Sequence, residues 1–212
     1  TIELVADPFQ AIPVMPPSTA GFNLASYKTE RKLVPVFNSN TCTGCGDCFL
    51  NCPHSAINPL VIGIENLIKA GIAISNASGV KISHLIPLVK NIARNYHDVL
   101  KLKKESIHYI SDFMLESFAI VSEQMKLEGE KLLTAKQDLE AVTNVLKDLP
   151  VSITDIFYNS PDILKNGSGD LFSLAIDMNS CTGCSVCASV CTEGAIKMSE
   201  ESNDVISYWQ TI

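Results

Sequence analysis

The spacing of the eight cysteines constrains this 212-residue chain more than any other feature of its sequence. Two runs share the pattern C-x2-C-x2-C-x3-C, and they consist of Cys42, Cys45, Cys48 and Cys52 and of Cys181, Cys184, Cys187 and Cys191. Three closely spaced thiolates can surround three corners of a cubane iron-sulfur cluster, whereas the fourth corner needs a ligand from further away. The pattern uses every cysteine and therefore predicts two four-iron clusters.

The two cysteine runs belong to a longer internal repeat. The sequence Asn-Thr-Cys-Thr-Gly-Cys at 40–45 matches Asn-Ser-Cys-Thr-Gly-Cys at 179–184. The dipeptide Ala-Ile then follows at the same distance in both halves, at 56–57 and 195–196. We expect these apolar residues to shield the clusters from water.

The cysteine spacing resembles that of bacterial-type ferredoxins with two [4Fe-4S] clusters, in which the last cysteine of each run ligates the other cluster. The resemblance assigns to the first cluster Cys42, Cys45, Cys48 and Cys191. It assigns to the second cluster Cys181, Cys184, Cys187 and Cys52. Two alternatives stay open at this point. Structural zinc favours cysteine pairs with a longer spacer, and disulfides need an oxidising compartment.

Four residues beside the cysteines are candidates for the cluster surroundings. Gly44 and Gly183 would let backbone N–H groups approach cluster sulfur where a Cβ would intrude. Pro53 stiffens the turn after the fourth cysteine of the first run, whereas Thr192 stands at the matching place in the second. His54 either donates a hydrogen bond to cluster sulfur or is an ordinary surface residue of this turn.

Composition and charge limit the possible partners. The formal net charge is −7 and the sequence pI is about 5.1, which argues against nucleic acid. The most apolar run, at 60–74, contains Glu65 and Lys69, so no membrane span is predicted. Two thiolate clusters suit a reducing setting, and we expect a cytoplasmic protein. The chain starts at Thr1, as a piece of a longer protein would.

The predicted fold class is α+β: a bacterial-type, two-cluster ferredoxin-like domain with a long all-helical insertion between its halves. Strand-like runs at 34–37 and 171–176 precede the two cysteine loops. The predicted organisation is an extended, proline-rich arm at 1–36, the ferredoxin-like domain at 37–58 plus 171–199, the helical insertion at 59–150, an irregular connector at 151–170 and a tail at 200–212.

Hydrophobic periodicity predicts three or four helices in the insertion. The apolar run at 60–75 reads as the first, and Ser83 is a candidate N-cap for the second, which carries apolar residues at helical spacing up to Leu100. Further faces run from Ile107 to Met125 and from Leu132 to Leu146. The helical histidines, read as ordinary helix residues because no partner stands at ligand spacing, are His84, His97 and His108.

A second resemblance rests on the segments Pro16–Thr19, Tyr27–Arg31, Val34–Phe37 and Cys42–Ile57, the last of which ends in Cys-Pro-His-Ser-Ala-Ile. Together they resemble the iron-sulfur domain of pyruvate:ferredoxin oxidoreductase and related 2-oxoacid oxidoreductases. The second cysteine run is generic to ferredoxin domains. The long helical insertion departs from that family's pattern.

The resemblance implies an intramolecular electron relay inside a larger enzyme. Such an enzyme uses thiamine diphosphate, magnesium and coenzyme A, but none of the residues that hold them can be placed on this chain. The chain alone is therefore expected to have no catalytic site. Its expected partners are the remaining domains or subunits of the oxidoreductase, with ferredoxin or flavodoxin as electron acceptor. The alternatives are a free-standing or subunit ferredoxin-type carrier and a cluster-stabilised structural or sensing module.

Overall fold

The computed structural model of the protein describes residues 31–103 and 109–205. Within these residues the strands are β1 (Leu33–Phe37), β2 (Ile57–Ile62), β3 (Leu171–Ile176) and β4 (Ile196–Glu200). The α-helices are α1 (Asp47–Leu50), α2 (Ile64–Ala77), α3 (Val89–Leu102), α4 (Met114–Gln124), α5 (Gly129–Leu146), α6 (Ser160–Leu164) and α7 (Val186–Ser189). Short 3₁₀ turns lie at Ser39–Thr41, Ile86–Leu88 and Ile110–Phe113, and a π-helix lies at Asp155–Asn159.

The strands form two antiparallel pairs that follow the internal repeat. Strand β1 of the first half pairs with β4 of the second, and Phe37 lies opposite Ile196. Strand β2 of the first half pairs with β3 of the second, and Ile57 lies opposite Ile176. Each pair therefore joins the two halves of the repeat, and the cysteine loop that follows β1 lies near the one that follows β3.

Buried side chains divide into two apolar clusters. The helical core lies among α2 to α5 and includes Ile68, Leu85, Ile92, Tyr96, Leu100, Ile110, Met114, Leu139 and Leu171. The cysteine-side core consists of Val34, Phe37, Ile57, Phe172, Leu174, Ile176, Met178, Cys187, Ala195 and Ile196. Successive side chains of a strand point to opposite faces. Leu171 of β3 therefore packs in the helical core, and Phe172 packs in the cysteine-side core.

Helices α2 and α5 approach each other closely at Gly71. A Cβ at this position would lie 2.9 Å from both Leu146 Cδ1 and Val142 Cγ1. A larger residue would push the helices apart, so glycine is kept despite its poor helix propensity. No helix in the described parts of the chain is both long and apolar enough to cross a membrane.

The prediction of a helix at 60–75 is wrong for the first residues of that range. Residues 60–62 belong to β2, and the helix begins at Ile64 after Gly63 as N-cap. Ser83 is not an N-cap either, because α3 begins only at Val89. Instead the Asp138 carboxylate on α5 accepts hydrogen bonds from the backbone N–H groups of residues 83–85.

Other segments depart from the predicted organisation. The connector at 151–170 is not irregular throughout, because Asp155–Asn159 and Ser160–Leu164 are helical. Residues 33–37 form β1, which confirms the strand-like run predicted at 34–37 and places the end of the predicted arm in a strand. The strand prediction at 171–176 and the helix predicted around Leu132–Leu146 are confirmed. Residues 1–30 of the arm, His108 and residues 206–212 of the tail lie outside the described residues.

Candidate iron-sulfur centres

The structure gathers the eight cysteines into two pockets. The first is lined by Cys42, Cys45, Cys48 and Cys191. The second is lined by Cys52, Cys181, Cys184 and Cys187. Each pocket thus combines three cysteines of one run with the last cysteine of the other, which is the grouping that the resemblance to two-cluster ferredoxins implies. Ligation of a cluster by these thiols stays a prediction.

Left-handed backbone shapes both cysteine loops in the same way. Gly44 and Gly46 have φ of +74° and +91°, and Gly183 and Ser185 at the matching positions have +70° and +65°. Each loop then enters a one-turn helix, α1 or α7, that carries the third cysteine of its run. The sequence analysis singled out Gly44 and Gly183 but missed the second left-handed position, where serine replaces glycine in the second loop.

Neighbouring atoms also leave little space for a side chain at the two predicted loop glycines. A Cβ on Gly44 would lie 3.2 Å from Thr154 Cγ2 and 3.2 Å from the Phe157 ring. A Cβ on Gly183 would lie only 2.5 Å from the Leu33 carbonyl oxygen. Glycine is therefore required by backbone conformation at both sites and by close backbone approach at the second.

Backbone N–H groups donate to the last cysteine of each run. The Ala56 N–H lies 3.3 Å from Cys52 Sγ, and the Ala195 N–H lies 3.2 Å from Cys191 Sγ. Hydrogen bonds to sulfur help to set the potential of a bound cluster. The Ala-Ile repeat in the sequence marks these two donors, although it was read only as apolar cover.

Burial disfavours a negative charge on four of the thiols. Burial raises the pKa of Cys48 to about 12 and that of Cys187 to about 11. Burial also raises the pKa of Cys42 and Cys181. Only thiolates ligate iron, so a bound cationic group must supply the charge that stabilises them.

The donor set fits a cubane better than a single ion. Four thiols line each pocket, and a cubane presents four separate irons to four thiolates. The residues that line the pockets therefore fit [4Fe-4S] clusters.

The turn after each run's fourth cysteine differs between the pockets. Pro53 and His54 line the second pocket, whereas Thr192 and Glu193 line the first. His54 is exposed, and its Nδ1 lies 3.5 Å from Thr182 Oγ1. The structure therefore brings the predicted Pro53 and His54 to the second site and sets an acidic residue at the place that corresponds to His54.

Two polar residues that the sequence analysis missed hold the start of the cysteine loops. The Ser152 hydroxyl donates to the Ser39 carbonyl at 2.7 Å before the first loop. Arg31 donates from Nη1 to the carbonyls of Met178 and Cys181 at the second loop. Neither residue has a local sequence signal, because each contact joins positions more than a hundred residues apart.

A comparison with known families finds a match to the 4Fe-4S binding domain at residues 34–57 and 174–196. These segments contain the two cysteine runs, most of β1 and half of β3, and they reach the first residue of β2 and of β4. The match supports an iron-sulfur, ferredoxin-like domain that binds [4Fe-4S] clusters, and its two segments suggest two of them. It suggests electron transfer as the function. No curated protein and no solved structure matches the chain.

Proposed function

We propose that this chain relays electrons through two [4Fe-4S] clusters, as the iron-sulfur portion of a pyruvate:ferredoxin oxidoreductase-like 2-oxoacid oxidoreductase of the cytoplasm. The observation that carries the proposal is the pair of four-thiol pockets, each built from both cysteine runs. The first cluster would be held by Cys42, Cys45, Cys48 and Cys191. The second would be held by Cys52, Cys181, Cys184 and Cys187.

A bound [4Fe-4S] cluster supplies a one-electron couple whose potential depends on burial, net charge and hydrogen bonds to sulfur. The chain provides these features. Phe37, Phe172 and Leu174 form apolar wall in the first pocket, and the Ala56 and Ala195 N–H groups donate to cysteine sulfur. These residues exclude water and orient donors, so their proposed role is to set the potential of each site.

The parent enzyme is proposed from the segments around the first cysteine run, including the Cys-Pro-His-Ser-Ala-Ile sequence at 52–57. The partners would be the remaining domains or subunits of the oxidoreductase, which would bind thiamine diphosphate, magnesium and coenzyme A. A soluble ferredoxin or flavodoxin would then accept the electrons. The net charge of −7 also favours partners with basic docking surfaces.

The cluster assignment is tested with two matched variants, Cys45→Ser and Cys184→Ser, in the reconstituted chain. Both cysteines are exposed and stand second in their runs, so each substitution removes one predicted ligand with little loss of packing. Each variant should lose or convert one cluster and keep the other, as measured by iron content and by the electron paramagnetic resonance (EPR) signal of the reduced protein. Ser189→Ala on α7 serves as the control. Unchanged iron content and spin signal in both variants would refute the assignment.

The relay function is tested by reduction of the purified, cluster-loaded protein. A relay domain should accept electrons from a thiamine-dependent 2-oxoacid oxidoreductase component and pass them to ferredoxin. A protein that ends at Ile212 in the cell and accepts electrons from diverse donors would instead be a free-standing carrier. Clusters that no physiological donor reduces would favour the structural or sensing role.

A further inference from the structure

The two cysteine loops are held at corresponding points by residues of different charge. Ser39 and Met178 each stand three positions before the first cysteine of their run. The neutral Ser152 hydroxyl donates to the Ser39 carbonyl, whereas the Arg31 guanidinium donates to the Met178 carbonyl. The same guanidinium reaches the Cys181 carbonyl at 2.8 Å. A fixed positive charge thus lies beside the second loop, whereas a neutral hydroxyl makes the corresponding contact at the first loop.

Arg31 is buried and orientated by an ion pair. Its side chain is 3% exposed, and its Nε and Nη2 lie 2.7 Å and 2.8 Å from the two carboxylate oxygens of Glu201. Nη1 is left to face the second loop. The pair is therefore a dipole whose positive end lies against the loop and whose carboxylate lies on the far side of the guanidinium.

The other charges near the pockets are exposed, so water screens them. Asp47 and Glu193 lie at the first site and Asp177 lies before the second loop, and all three side chains are exposed. The difference between the sites therefore rests on the buried guanidinium of Arg31.

Reduction adds one negative charge to a cluster, so a nearby buried cation favours the reduced form and a carboxylate disfavours it. We propose that the Arg31–Glu201 pair holds the second site, at Cys52, Cys181, Cys184 and Cys187, at a higher reduction potential than the first. This inference rests on the proposed electron relay and gives it a direction, from the first half of the repeat toward the second. Arg31 acts through the loop as a positioning residue.

The test uses two substitutions that change the charge of the pair in opposite senses. Arg31→Gln keeps an amide donor but removes the cation, so it should lower the potential of the second site. Glu201→Gln removes the compensating carboxylate and should raise that potential. A tenfold change in the distribution of one electron between the sites is expected in each case, which is about 59 mV. Redox titration followed by EPR on the cluster-loaded chain measures both, and the Cys45→Ser and Cys184→Ser variants assign each signal to its site.

The directions of the two shifts in potential distinguish an electrostatic effect of the Arg31–Glu201 pair from a loss of loop structure. Loosening of the loop would move the potential in the same direction in both variants, whereas the proposal requires opposite directions. Ser152→Ala removes the corresponding contact at the first loop without a charge change and should leave the second site's potential unaltered. The inference would be overturned if the two sites had equal potentials, or if both variants shifted the potential of the second site in the same direction. The proposed relay would still stand in that case, provided that both clusters are reversibly reduced. A chain that assembles no reducible cluster would instead refute the proposed function.

Discussion

At the scale of single residues, Gly44 and Gly183 occupy matched places in the two loops but differ in what surrounds them. Both have positive φ, so alanine at either costs about 1–2 kcal/mol of backbone strain. At Gly44 the added Cβ meets only side-chain atoms at 3.2 Å, which can yield. At Gly183 it meets the Leu33 carbonyl oxygen at 2.5 Å, which cannot move without bending β1.

We therefore expect Gly183→Ala to be more harmful than Gly44→Ala. Gly44→Ala should lower the melting temperature of the cluster-loaded protein by about 2–8 °C and retain iron. Gly183→Ala should lower it further and reduce iron content at the second site. Thermal melts and iron analysis of the two variants check this order. Equal losses in both would show that the close backbone approach at Gly183 is unimportant.

A second residue-scale prediction concerns a buried polar pair. His97 Nδ1 and the Tyr158 hydroxyl lie 2.9 Å apart, and both side chains are buried. Tyr158→Phe removes the partner of His97 and should cost about 1–3 kcal/mol. A drop in the melting temperature with unchanged iron content is the expected result. A melting temperature equal to that of the parent protein would contradict it.

The same pair predicts a pH dependence of stability. Burial lowers the pKa of His97 in the folded protein, so the unfolded chain binds a proton more readily. Stability should be complete above the unfolded histidine pKa of about 6.5 and should be lost as the pH falls toward the lower folded pKa. Melting temperatures from about pH 7.5 to 5.5 measure this loss, and His97→Gln should make it shallower. An identical slope in the variant would assign the loss to other groups.

At the scale of secondary structure elements, Asp138 ties α5 to the segment that leads into α3. Its carboxylate accepts from the N–H groups of Ser83, His84 and Leu85 at 2.7–3.2 Å. Asp138→Ala leaves these donors to water and should cost about 1–3 kcal/mol. Glu140→Ala is the control, because its exposed pair with Lys136 on the same helix contributes at most about 1 kcal/mol. Chemical denaturation of both variants checks the difference, and equal losses would contradict it.

Secondary structure elements could be predicted where the sequence has a clear hydrophobic period or belongs to the internal repeat. Elements without such a pattern could not be predicted. The strand at Leu171–Ile176 follows from its place before a cysteine loop. The strand–helix boundary at Gly63 was missed because a continuous apolar run has no period that separates the two. The helical turns at 155–164 were missed, although Ser160-Pro161 is typical of a helix start.

The candidate site likewise has features that could be predicted from the sequence and features that could not. The resemblance to two-cluster ferredoxins groups the eight thiols as the two pockets do, and both strand pairs join the two halves of the repeat. The contacts that distinguish the pockets could not be predicted. Arg31 reaches Cys181 and Ser152 reaches Ser39 through the tertiary fold, because the two contacts join positions 150 and 113 residues apart.

At the scale of the whole molecule, the chain has one core that depends on the cysteines and one that does not. All cysteines except the exposed Cys45 and Cys184 belong to the cysteine-side core or pack against it. The helical core contains none. Strand β3 joins the two, because Leu171 packs in the helical core and Phe172 in the other. Local opening of a protein follows such packed units.

Removal of iron should therefore loosen one part of the molecule selectively. Without clusters, six thiols remain buried or half-buried around loops that have lost their cross-links, and metal binding is folding energy for such sites. Hydrogen exchange followed by mass spectrometry should show faster exchange in β1, β4 and the two cysteine loops after chelation. Helices α3 and α5 should keep their protection, because Tyr96, Leu100 and Leu139 stay packed in the helical core. Faster exchange throughout α3 and α5 would show instead that the clusters and the helices fold as one cooperative unit.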